Sequence, residues 1–112
     1  MTTTVAPFRP AVRPVIGLVA GGLGAYWPQF PNLLPQLERS AGVVAERLGQ
    51  FDAVVVDAGF ISDAPGAARA AEVLRAAGCD LIVMFLTTYM TATMVVPIAQ
   101  RTGAPLLLLN LQ

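Results

Sequence analysis

Four short apolar runs separated by three helical periods predict an open, mostly parallel α/β sheet with helices on both faces. The runs are Val15 to Ala20, Ala53 to Ala58, Leu81 to Leu86 and Leu106 to Leu111, each bounded by Gly, Pro, Asp or Thr. They are continuous, as expected where crossover helices cover both faces of a parallel sheet. Strand and helix alternate throughout. Because parallel crossovers are right-handed in about 98% of cases, the expected strand order is 2-1-3-4, with a topological switch between strands 1 and 3.

The elements follow in order. Met1 to Pro14 carries three Thr, three Pro, Arg9 and Arg13 but no apolar stretch of signal-peptide length, and reads as a loose N-terminal tail before a single domain over 15–112. The first helix is expected after Asn32, a good cap, with Leu34, Leu37, Ala41, Val44, Ala45 and Leu48 on its inner stripe and Glu38, Arg39, Glu46 and Arg47 outside. Gly49 would end it by adopting a left-handed backbone. The second helix starts near Ser62 or Asp63 with Pro65 in its first turn, buries Ala67, Ala70, Val73, Leu74 and Ala77, and stops at Gly78. The third runs from about Thr93 to Arg101, with Pro97 near the limit of its first turn, where a missing N–H costs least. Gly103 and Pro105 return the chain to strand 4. The result is a Rossmann- or flavodoxin-like sheet whose fourth strand forms a long apolar edge, as in the front portion of a larger chain or a subunit covered by a partner.

Composition narrows the function. A chain of 112 residues supports one core, burying roughly 65% of the surface that its unfolded form exposes. Hydrophobic residues make up 55% and charged residues 12%, against about 25% charge in an average domain. Something beyond a polar surface must cover that excess. Seven arginines balance seven acids and there is no lysine, so no basic face exists to gather nucleic-acid phosphates. The single Cys79 cannot close an internal disulfide and reads as a reduced, buried thiol in a cytoplasmic protein. Leu81 to Gln100 carries no charge for 20 residues, the length of a membrane helix. Thr87, Thr88, Thr91, Thr93 and Pro97 interrupt it, and a buried strand followed by a helix fits better than a membrane span.

In such sheets ligands sit outside the carboxyl ends of the strands at the switch, here between the loops Gly21 to Pro31 and Thr87 to Ala92. The first loop holds Gly22 and Gly24 in a turn that resembles a phosphate cradle, but Trp27 stands where the third small residue belongs, and Pro28 and Pro31 delay the helix. Nucleotide or phosphate binding is therefore the alternative reading, with Asp57 either a ribose contact or a turn residue. Tyr26 and Trp27 offer flat apolar faces for a sugar, a subunit contact or a local plug. Thr87, Thr88, Tyr89, Thr91 and Thr93 crowd hydroxyls on the other side, able to donate to and accept from a polyol. The sequence contains no histidine, and Glu38, Glu46 and Glu72 fall on helix exteriors. Neither a Ser-His-Asp arrangement nor a metal cage can be assembled.

From Cys79 to Gln112 the chain resembles the N-terminal domain of L-arabinose isomerases, within the L-fucose/L-arabinose isomerase family. Cys79, Leu86, Thr88, Tyr89, Ala92, Met94, Pro105, Leu106, Leu107 and Gln112 fall without gaps on that family's strand, His-Thr-Phe turn, helix and strand ending in Thr-Gln. Gly22, Ala25 and Tyr26 are similar to its Gly-Ser-Gln-His-Leu-Tyr turn. The resemblance implies a cytoplasmic aldose–ketose isomerase that uses a divalent metal, usually Mn²⁺, held by two Glu and two His downstream of Gln112. It implies no catalytic residue and no bound metal in this chain. It also implies a trimer or hexamer in which Leu23, Tyr26, Thr87, Thr88 and Tyr89 wall a neighbouring subunit's sugar pocket, with Tyr26 and Trp27 near the interface. This sequence departs from the family at Leu23 and Gly24, where Gln and His are usual, and at Thr87, where His is usual. Polar sugar contacts are lost there, which points equally to a sister branch with another substrate.

Overall fold

The computed structural model describes residues 13–110. β1 (Val15–Gly21), β2 (Val54–Ile61), β3 (Leu81–Leu86) and β4 (Leu106–Leu109) form one sheet in the order β2-β1-β3-β4. All three neighbouring pairs are parallel, and the crossovers are α1 (Leu33–Leu48), α2 (Ala64–Ala77) and α3 (Ala92–Thr102). The predicted class, strand order and helix positions all appear. Residues 1–12 of the expected tail, and Leu111 and Gln112 at the expected end of strand 4, lie outside the described residues. Arg13 and Pro14, expected in the tail, already belong to the sheet's lower edge: the Val54 amide donates to the Pro14 carbonyl at 2.8 Å, and Arg13 lies 3.8 Å from Asp52.

Strand pleating sends alternate residues to two cores. Leu18, Ala20, Val83 and Phe85 face α1 and meet Val44 there. Val19, Ile82 and Met84 face the opposite side, where Ala67, Ala70, Ala71 and Leu74 of α2 and Met94 and Ile98 of α3 close over them. The alanines let α2 settle close to β1. A Cβ at Gly17 would lie 2.6 Å from Leu74 Cδ2 and 2.8 Å from Cys79 Sγ, so the helix occupies space that only glycine leaves free. Val73, expected inside, is 48% exposed. Counting i, i+3, i+4 and i+7 from Ala67 selects Ala70, Ala71 and Leu74, and leaves Val73 off the stripe.

Helix ends follow local chemistry, with three departures from expectation. α2 behaves as predicted: Asp63 Oδ1 accepts from the Gly66 amide at 2.7 Å, and Gly78 ends the helix in the left-handed region at φ 67°. Asp63→Ala is expected to cost about 1 kcal/mol, read as a lowered urea midpoint. Asn32 occupies the cap position of α1 but its side chain makes no capping bond, because its backbone is already helical at φ −93°, ψ −2°. Gly49 is right-handed at φ −65°. The chain there tightens instead, with Gln50 donating to Arg47 and Phe51 to Leu48. Pro97 lies inside α3 as its sixth residue, past the first turn, so the Thr93 carbonyl lacks the N–H that an interior residue would supply.

One irregularity shapes the functional end of the sheet. Leu18 pairs with Asp57 but Ala20 pairs with Phe60, so β2 carries one extra residue. Gly59 takes the strain at φ 92°, and Asp57 Oδ1 accepts from its amide at 2.8 Å. Asp57 is thus a turn residue of the bulge. No helix among the described residues is long and apolar enough to cross a membrane; the charge-free stretch is β3 followed by α3.

Candidate functional site

The two loops predicted to meet at the switch do meet. The Gly21 carbonyl, at the end of β1, accepts from both the amide (3.0 Å) and the hydroxyl (2.8 Å) of Thr87, which follows β3. One residue on, the Leu23 amide donates to Thr88 Oγ1 at 2.9 Å, and that hydroxyl donates to the Tyr89 carbonyl at 3.2 Å. The turn after β2 joins them: Gly22 donates to Ile61 and Gly24 to Ser62, each at 3.1 Å. Trp27 lies across the top, its Nε1 donating to Ser62 Oγ at 3.0 Å and its ring 6.1 Å from that of Phe60. Three loops are clasped into one unit.

This clasp settles what the glycine turn does. The amides of Gly22, Leu23, Gly24, Tyr26 and Trp27 all donate to protein oxygens within the clasp or the short 3-10 turn over Gly24–Tyr26. A phosphate cradle needs such amides to converge on open space. Here they turn inward. Trp27 is a plug over the sheet end, and Tyr26 packs edge-on against Phe30, ring centroids 6.5 Å apart.

The open space lies one strand over. A hollow of about 400 Å³ is lined by Leu86, Thr87, Thr88, Tyr89, Met90 and Asn110. Of the predicted sugar-wall residues it gathers Thr87, Thr88 and Tyr89; Leu23 and Tyr26 are outside its lining, since Leu23 is held in the clasp and Tyr26 lies against Phe30. Met90 is buried beneath, whereas Tyr89 is 65% exposed. No lining residue carries a charge. Thr91 and Thr93 bond each other at 2.7 Å, and Thr91 makes no side-chain cap on α3.

Sequence reasoning missed Ser62, Phe60 and Asn110 as parts of this end. Ser62 had a local reading as a helix start. Asn110 was hidden in the leucine run of strand 4.

The sequence has no histidine, and among the described residues no three His, Cys, Asp or Glu side chains cluster. Glu38 and Glu46 lie on the exposed side of α1, as expected. Glu72 binds Arg75 at 3.0 Å and approaches Arg101 of α3 at 3.9 Å; the hydrogen bond from Arg75, with its charge, holds the Glu72 carboxyl below its ordinary range. Cys79 is half-buried, its thiol 3.5 Å from the Leu74 carbonyl. Burial, with the Asp80 charge, pushes that thiol above its ordinary value. The thiolate is the reactive form, so iodoacetamide at pH 8 is expected to alkylate Cys79 more slowly than free cysteine, as followed by intact mass.

No family model matches the chain, and no curated protein matches it significantly.

Proposed function

We propose that this chain is the N-terminal α/β domain of an aldose–ketose isomerase-like cytoplasmic protein, and that it forms one wall of a neutral sugar pocket. The observation that carries the reading is the uncharged hollow at the carboxyl ends of β3 and β4, beside a glycine turn whose amides are already engaged. Its size falls within the roughly 300–1,000 Å³ of small-molecule sites. The resemblance from Cys79 to Gln112 supplies the reaction class, hydrogen transfer between adjacent sugar carbons. Residues of this chain do no acid or base work in that reading. They bind one flank of the sugar and exclude water, with Tyr89 as an aromatic face.

Titration of the 15N-labelled chain with L-arabinose, L-fucose and ATP tests it. Sugar-dependent shifts at Thr87 to Met90 are expected, and none from ATP at Gly22 to Gly24. Shifts confined to Gly22–Gly24 with ATP would replace the sugar reading with a nucleotide one.

A subunit-contact role is the second reading, favoured by Leu107 and Leu108, which are 51% and 58% exposed on β4. They point to opposite faces of a strand that pairs with β3, and Val43 on α1 is also exposed. The proposed assembly is a homo-oligomer, a trimer or hexamer by resemblance, with Tyr26 and Trp27 near the contact. Sedimentation of the chain is expected to show self-association that Leu107→Lys weakens; a monomer at all concentrations would remove this role.

A further inference from the structure

We infer that Asn110 and Tyr89 supply the hydrogen-bond donors of the hollow, and so decide which neutral polyol it accepts; this rests on the sugar-wall reading. The inference follows from where the other protons go. Carbonyl oxygens only accept, so the Thr87 hydroxyl proton is held by the Gly21 carbonyl and the Thr88 hydroxyl proton by the Tyr89 carbonyl. Both threonines can therefore meet a ligand only as acceptors. Leu86 and Met90 carry no donor. A sugar presents acceptors as well as hydroxyl protons, namely its ring or carbonyl oxygen. Among the side chains of the lining, the Asn110 amide and the Tyr89 phenol alone can donate to them. Asn110 also brings two N–H donors and two lone pairs, enough to serve a protein neighbour and a ligand together.

The topology places it well. Asn110 follows directly on the Phe85–Leu109 register pair, so it leaves β4 beside the point where Leu86 and Thr87 leave β3. Adjacent strands lie about 4.8 Å apart. An amide just past β4 and a phenol from the loop after β3, in one lining with two threonine acceptors, can serve a ligand that presents both hydroxyl protons and a ring or carbonyl oxygen.

The test uses 15N-labelled wild type, Asn110→Leu and Tyr89→Phe, titrated with L-arabinose and separately with inorganic phosphate. Wild type is expected to show saturable shifts at Thr87 to Met90 and at the Asn110 side-chain amide, and none with phosphate. Each variant is expected to bind about three- to tenfold more weakly, the effect of one lost hydrogen bond. If Asn110→Leu does not fold, Asn110→Asp keeps the shape, removes the N–H donors and is expected to show at least the same loss. Wild-type affinity in the Asn110 variants overturns this inference and leaves the sugar wall standing. Absence of any sugar shift at Thr87 to Met90, or equal shifts with phosphate, overturns both.

Discussion

Leu74→Ala is expected to cost about 2–5 kcal/mol, the range for deleting a buried leucine side chain where the surroundings relax only in part. Leu74 is fully buried. Its Cδ2 fills the niche left by the absent side chain of Gly17 on β1, so a knob in a hole adds to the general apolar contact between α2 and the sheet. Gly17→Ala is expected to cost about 1–3 kcal/mol in the wild-type background by overpacking. In the Leu74→Ala background it is expected to cost less, because the 2.6 Å clash with Leu74 Cδ2 is gone while the 2.8 Å approach to Cys79 Sγ remains. Urea denaturation of the four proteins completes the cycle. Additive effects would show that the close approach is not what holds the helix.

The same pair marks how far the fold was readable in advance. Continuous apolar runs bounded by turn residues located all four strands, and right-handed crossovers then left one strand order. The alanines of α2 announced close packing. Positions that depend on exact phase were less legible. Val73 looked like core because it is apolar, yet the helical period leaves it outside. Gly49 looked like a left-handed stop because glycine permits that backbone, but permission is not a requirement, and a tightened last turn served as well. The bulge in β2 could not be read at all, since its cause is the register of a strand some forty residues away.

At the site, sequence placed the glycine turn and the threonine-tyrosine turn side by side, and they are bonded directly. It gave no access to how the hydroxyls are engaged. Thr87 and Thr88 read as free polyol contacts because their partners, Gly21 and Leu23, lie 66 and 65 residues away. Once those partners are known, the threonines become structural pins and the hollow moves to the β3–β4 side. The glycine turn changes meaning in the same step: amides that could have cradled an anion instead tie three strand ends together.

Gly22 is where that clasp is most exposed to disruption. A Cβ there would stand 2.9 Å from Thr87 Oγ1, from Thr88 Oγ1 and from Trp27 Cη2. None of the three can yield alone: both hydroxyls are bonded, and the indole is held by Ser62 and Phe60. Gly22→Ala is therefore expected to destabilise by about 1–3 kcal/mol, to shift Trp27 emission to the red and to speed amide exchange at Leu23 and Thr87. Gly42 is the control, because it lies inside α1 with nothing within 4 Å of its Cβ position. Gly42→Ala is expected to stabilise by roughly 0.5–1 kcal/mol, the helical preference for alanine over glycine. If the two substitutions behaved alike, the clasp would have slack. The Thr87 to Met90 wall of the hollow would then lose its rigid support, since the same hydrogen bonds that exclude a methyl at Gly22 are those that hold the wall in place.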